Sequence, residues 1–187
     1  MVFSLISRLV NGVKGGIIAG LEGTADIASS IVDVAKKTTV STLKETADFA
    51  KEALDVPASV VKGALSGLGE IGASVITAVK GVVNGTVQGL MESGVKQDTA
   101  IKGTVAQSLH SAEELGLDIG EAAVESVKGA TEAVKQVGGD TLGATKTAIS
   151  TALNTAKEIG SDALQKVKDS LGAGVEGAKD IIESIEK

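Results

Sequence analysis

His110, Glu114, Asp118, Glu121 and Glu125 follow one another at steps of four, four, three and four. On an α-helix that spacing lines side chains along one face. Carboxylates plus imidazole at helical spacing are what a helix bundle uses to hold a divalent ion, provided a second stripe supplies the opposing ligands. The chain has one His and no second stripe, so the pattern is read as a solvated acidic face opposite Leu115, Ile119, Ala122 and Ala123, and no metal is expected. A second candidate is GLGEIG, residues 67–72, which matches G-x-G-x-x-G through Gly67, Gly69 and Gly72. Dinucleotide binding needs a strand before that motif. The preceding VPASVVKGALS reads as helix, so no cofactor is expected. With no Cys and a single His, no nucleophile, base and orienting group can be assembled. No catalytic residues are assigned, and the chain is expected not to be an enzyme.

The elements that carry these residues follow from composition. The 187 residues include 24 Gly and only two Phe, two Met, no Trp, no Tyr and one Pro. Without bulky anchors, a core must bury small residues over long contacts. Proline scarcity argues against a turn-rich β protein, and long helices remain. The net charge is -6, and residues 55–187 hold 18 acids against 12 bases. An acidic chain without aromatics excludes sequence-independent nucleic-acid binding. The start MVFSLISRLVNGVKGG lacks a charged region ahead of its apolar stretch, so no secretion signal is expected. The best spanning candidate, residues 63–79, is short, contains Glu70 and is flanked by Lys62 and Lys80. A cytoplasmic protein, with peripheral membrane contact allowed, is the expectation.

Within residues 2–21, Phe3, Ile6, Val10, Val13, Ile17 and Leu21 share one helical face, with Arg8 and Lys14 on the other and no acid among residues 1–21. Such a basic amphipathic helix suits a membrane surface, through Phe3, Ile6, Val10, Val13 and Ile17 with Arg8 and Lys14 near anionic headgroups, and it equally suits docking on the protein's own core. A second helical segment is expected over residues 24–54, where TLKE (42–45) matches a capping box that would start a fresh helix. Pro57 fits the first turn of another helix, which divides the chain into residues 1–55 and 56–187. Further joints are expected at 92–98, at 115–118 and at Gly138-Gly139. The tripeptide VKG or IKG recurs at 13–15, 61–63, 79–81, 101–103 and 127–129, with a step of 22 between 79 and 101. Repetition of this kind predicts a quasi-periodic architecture rather than a globule around one pocket.

Lys135, Lys146, Lys157, Lys168 and Lys179 recur at steps of eleven. Eleven residues make three turns at 3.67 per turn, so an eleven-residue pattern keeps its stripe aligned along a helix. On that wheel the lysines edge a column of Leu142, Leu153, Leu164 and Val175, opposite Asp140, Glu158, Asp162, Asp169, Glu176 and Asp180. The lysine-edged elevens, with VKQVGGDTLGATKTA at 134–148 and VKGVVNGTVQG at 79–89, resemble those of the synucleins, the group 3 late embryogenesis abundant proteins and the exchangeable apolipoproteins. The resemblance implies long amphipathic helices that form on lipid or on drying. The synuclein motif K-T-K-E-G-V is absent, and no functional residue is carried over.

Gly12, Gly16 and Gly20, then Gly81, Gly85 and Gly89, then Ala144, Ala148 and Ala152 form ladders of small residues four apart. Such ladders let helix backbones approach closely. The expected fold class is therefore all-α: elongated, long amphipathic helices with eleven-residue periodicity, packed as a helical bundle or laid on a lipid surface. The first functional expectation is lipid or membrane-surface association. The alternative is an oligomeric helical scaffold or tube packed through the Gly/Ala ladders, its partner being itself or another helical protein. A stress protectant that folds on binding or drying is a third.

Overall fold

The computed structural model describes residues 2–21, 27–45, 55–70 and 74–187, with side-chain surroundings for residues 10–21, 30–44, 56–70 and 74–187. Among the described residues nine helices form: α1 (Val2–Leu21), α2 (Ile27–Glu45), α3 (Asp55–Glu70), α4 (Val75–Glu92), α5 (Gln97–Glu114), α6 (Ile119–Val137), α7 (Thr141–Ile159), α8 (Ser161–Gly174) and α9 (Ala178–Ile185).

From α4 to α7 the chain punctuates itself every 22 residues. Gly94, Gly116 and Gly138 take positive φ of 92°, 69° and 80° just past three helices, a conformation that costs glycine nothing and ends a helix. Beyond each glycine one amide folds back: Val95 N–H to Leu90, Leu117 to Ala112 and Gly139 to Val134, at 2.9 to 3.0 Å. These bonds satisfy carbonyls that the helix end leaves without partners. The new helix begins three residues after the glycine. Asp118 Oδ1 accepts from Glu121 N–H at 2.9 Å, and Asp140 Oδ1 from Gly143 N–H at 3.0 Å, each capping the next helix. The expected joints at 92–98, 115–118 and 138–139 coincide with these turns.

The helices stack in two layers. α1, α3, α5 and α7 pack side by side in one, α2, α4, α6 and α8 in the other, and each helix also touches its chain neighbour across the interface. α9 lies against α7 and α8. Stacking crosses residue 55, since α1 rests on α3 and α2 on α4. The core between the layers is built of Val, Ala, Leu and Ile, among them Ile17, Ile31, Val60, Leu65, Val79, Leu90, Ile101, Leu109, Val127 and Ile149. A few hydroxyls pair inside it, as Ser108 with Ser126 at 2.6 Å, which satisfies polar groups that burial would otherwise penalise.

Three expectations meet a different outcome. TLKE starts no helix: Thr42 lies within α2 and its hydroxyl donates back to the Thr38 carbonyl at 2.8 Å, the interior alternative to capping. The eleven-step lysines do not share one helix. Lys135 belongs to α6, Lys146 and Lys157 to α7, Lys168 to α8 and Lys179 to α9, because the chain turns at Gly138, at Gly160 and around Gly177. The stripe from His110 to Glu125 is likewise cut at Gly116, leaving His110 and Glu114 on α5 while Asp118 caps α6.

Candidate functional site

Chemistry in this chain is concentrated in its contacts between helices two apart, and the VKG tripeptide organises them. The first residue of each motif, Val13, Val61, Val79, Ile101 or Val127, is buried in the core. In three of the five motifs the lysine reaches forward to the helix two further on. Lys14 pairs with Glu70, Lys62 with Glu114 at 2.7 Å and Lys80 with Glu132 at 2.7 Å, while Lys36 of α2, in a motif without the valine, pairs with Glu92 at 2.6 Å. Both members of every pair stay part-exposed, so each pair contributes about 0.2 to 1 kcal/mol and mainly fixes which residues face each other.

The glycine faces backward, towards the helix two before. A Cβ at Gly63 would lie 2.7 Å from the Val10 carbonyl oxygen and 2.9 Å from Val13 Cβ, and at Gly103 it would lie 3.1 Å from Pro57 Cγ. One at Gly129 would run into the Lys80 carbonyl. Backbones approach this closely only where a side chain is missing.

The three expected ladders behave differently. Gly81, Gly85 and Gly89 receive α2 of the same chain: Cβ atoms there would strike Ile31, the Val32 carbonyl and Thr39. Gly20 lies 3.1 Å, by its would-be Cβ, from Val34, but at Gly12 and Gly16 a Cβ would meet nothing within 4 Å. Ala144, Ala148 and Ala152 are fully buried in α7.

Of the proposed membrane-contact residues, Val13 and Ile17 are buried, Val10 is half-buried, and Lys14 holds Glu70 of α3. Phe3, Ile6 and Arg8 lie outside the residues whose side chains are described. No described helix is long and apolar enough to cross a membrane.

Grooves on the surface carry several charges that are already engaged. One of about 640 Å³ is lined by Lys80, Lys128, Glu132, Lys135 and Gln136, yet Lys80 holds Glu132 and Lys128 lies 3.4 Å from Glu125. Another of about 320 Å³ places His110 beside Glu113, Glu114 and Lys62, again with the Lys62 and Glu114 pair closed. Among the described residues no group of three or more His, Cys, Asp or Glu is arranged to hold a metal ion. Gly67 and Gly69 of the G-x-G-x-x-G match sit within α3, where a Cβ at Gly67 would press on the Lys14 carbonyl at 3.2 Å.

Sequence reasoning missed the acceptors Glu70, Glu92, Glu114 and Glu132. The signal was present as a fixed interval: lysine and glutamate are 56 residues apart in the first two pairs and 52 in the next two. No family model matches the chain, and comparison with curated proteins gives no match.

Proposed function

We propose that this protein is a non-enzymatic structural scaffold, an elongated two-layer helical stack whose partners are helical proteins, copies of itself first among them. One observation carries the choice over lipid: along the described part of the apolar face of α1, Val13, Ile17 and Leu21 are already covered by protein. The quasi-repeat supports it, because stacked units with recurring motifs build surfaces in place of a unique pocket. A lipid-associating role is the second reading, supported by the acid-free stretch of residues 1–21 with Arg8.

Far-UV circular dichroism separates the two. The scaffold reading expects strong helicity in dilute buffer that anionic vesicles leave unchanged. A coil spectrum that turns helical only when vesicles are added would replace it with the lipid reading.

A further inference from the structure

We infer that α8 and α9 are two parts of one switchable element: the bend at residues 175–177 opens into a single helix, and residues 175–185 then lie in the groove along the second half of α6. The inference goes beyond the scaffold reading and does not depend on what the stack binds.

The sequence repeats itself at this point. VEGAKDIIESI (175–185) follows VKGATEAVKQV (127–137) at a step of 48. Val, Gly and Ala are kept, and Glu132, Ala133, Val134 and Val137 correspond to Asp180, Ile181, Ile182 and Ile185. In α6 this stretch is the uninterrupted second half of a 19-residue helix. In the later copy α8 stops at Gly174, Val175 is extended, Gly177 takes a φ of 73°, and α9 packs back onto α7 and α8. The apolar pattern suits the straight form: the buried face of α8, Val167 and Leu171, continues through Val175, Ala178 and Ile182 at steps of four, three and four.

The groove lies where the straightened helix would run. α8 already rests on the first half of α6 in a register of fifty: a Cβ at Gly120 would run into Ser170, and one at Gly174 would come within 2.9 Å of Val124. Past Gly174 the helix ends, and the groove of about 640 Å³ is lined by Val127, Lys128, Thr131 and Lys135 of α6, together with Val175 and Glu176. Charges match as well. Asp180 follows Lys128 by 52 residues, the interval that joins Lys80 to Glu132 across α4 and α6, and Glu183 follows Lys135 by 48.

An ion pair holds the bend. Lys168 of α8 meets Glu186, just beyond α9. In one continuous helix these residues, 18 apart in sequence, would stand about 27 Å from each other at 1.5 Å per residue, so the pair exists in the bent form alone. Both groups are part-exposed, and added salt weakens their hold. The switch decides which layer ends covered. Bent, α9 shields α7 and leaves the groove on α6; straight, it fills the groove and bares the face of α7 that it now covers.

The 187-residue chain has no Cys, so the test introduces cysteine pairs into it. Nitroxides at Asp162→Cys and Glu183→Cys report the bend by pulsed electron spin resonance. The bent form holds them within about 20 Å, with helix axes about 10 Å apart, and the straight form at about 32 Å along one helix. Both distances are expected, and high salt or Glu186→Lys moves weight to the longer one. Gly177→Ala should raise the ratio of long to short about tenfold or more, since alanine disfavours the left-handed bend and favours helix. A second pair, Gln136→Cys with Ser184→Cys, tests the seating. Gln88 and Gln136, also 48 apart, meet across α4 and α6, so this disulfide should close within one chain, and faster when Gly177→Ala is added. The short distance alone under all of these conditions overturns the switch. A long distance without the intrachain disulfide, or with helicity lost by circular dichroism, shows α9 released into solvent in place of the groove and overturns the seating.

Discussion

Gly85 and Gly12 are chemically identical and structurally opposite. A Cβ at Gly85 would run into the Val32 carbonyl and come within 2.8 Å of Ala35 Cβ and 2.9 Å of Lys36 N, whereas one at Gly12 would meet open space. The backbone of α2 cannot retreat without breaking its other contacts to α4, so Gly85→Val should destabilise by about 3 kcal/mol, lowering the melting temperature by roughly 6 to 12 °C. Gly12→Ala should do the reverse, adding about 0.5 to 1 kcal/mol by stiffening the unfolded chain and improving helix propensity. Thermal unfolding of the two variants against wild type checks both signs. Equal effects at the two sites would mean that α2 does not press on Gly85. The ladder of Gly81, Gly85 and Gly89 was visible in the sequence as a set of small residues. That its partner is α2 of the same chain was not visible, because a ladder specifies closeness without naming what comes close.

At the scale of elements, the ion-pair register makes a sharper demand. Lys80 is the sixth residue of α4, and Glu132 the fourteenth of α6. One step along, Lys102 is the sixth residue of α5, and the fourteenth of α7 is Asn154. The pattern therefore has a carboxylate missing at Asn154, which is exposed. Asn154→Glu is expected to couple to Lys102 by about 0.2 to 1 kcal/mol at low salt, and to lose that coupling as added salt screens it. A double-mutant cycle with Lys102→Met in urea denaturation measures it; zero coupling at low salt would show that the α4 and α6 register does not carry over to α5 and α7.

Element boundaries between α4 and α7 were legible, since glycines and short polar runs mark them and each has a turn mechanism, whereas the turns at Gly160 and around Gly177 were not. Layering was not. A 22-residue unit is two elevens, so the lysine series from 135 to 179 runs on in sequence through turns that split it among four helices. Only the contact between helices two apart explains why lysine and glutamate must keep a distance of 52 or 56 residues.

For the whole molecule, the stack makes stability a sum of steps between near neighbours in place of one indivisible core. Residues 97–140 span α5, α6 and their turns, 44 residues that amount to two full units. Deleting them joins Lys96, which precedes α5, directly to Thr141, which opens α7. In the shortened chain α7 would take the place of α5 on α3, and α8 that of α6 on α4. The motif register favours this, since Lys146 is the sixth residue of α7 as Lys102 is of α5. The variant gives up the Lys62 and Glu114 pair and the Lys80 and Glu132 pair, modest losses for part-exposed charges, together with the apolar contacts of two helices. It should therefore remain helical and unfold cooperatively, less stable than wild type, with a denaturant slope reduced by roughly a quarter, in line with the chain removed. A globule whose elements each make unique contacts would instead lose its core on such a deletion and show no unfolding transition, so a flat urea curve would rule out interchangeable units.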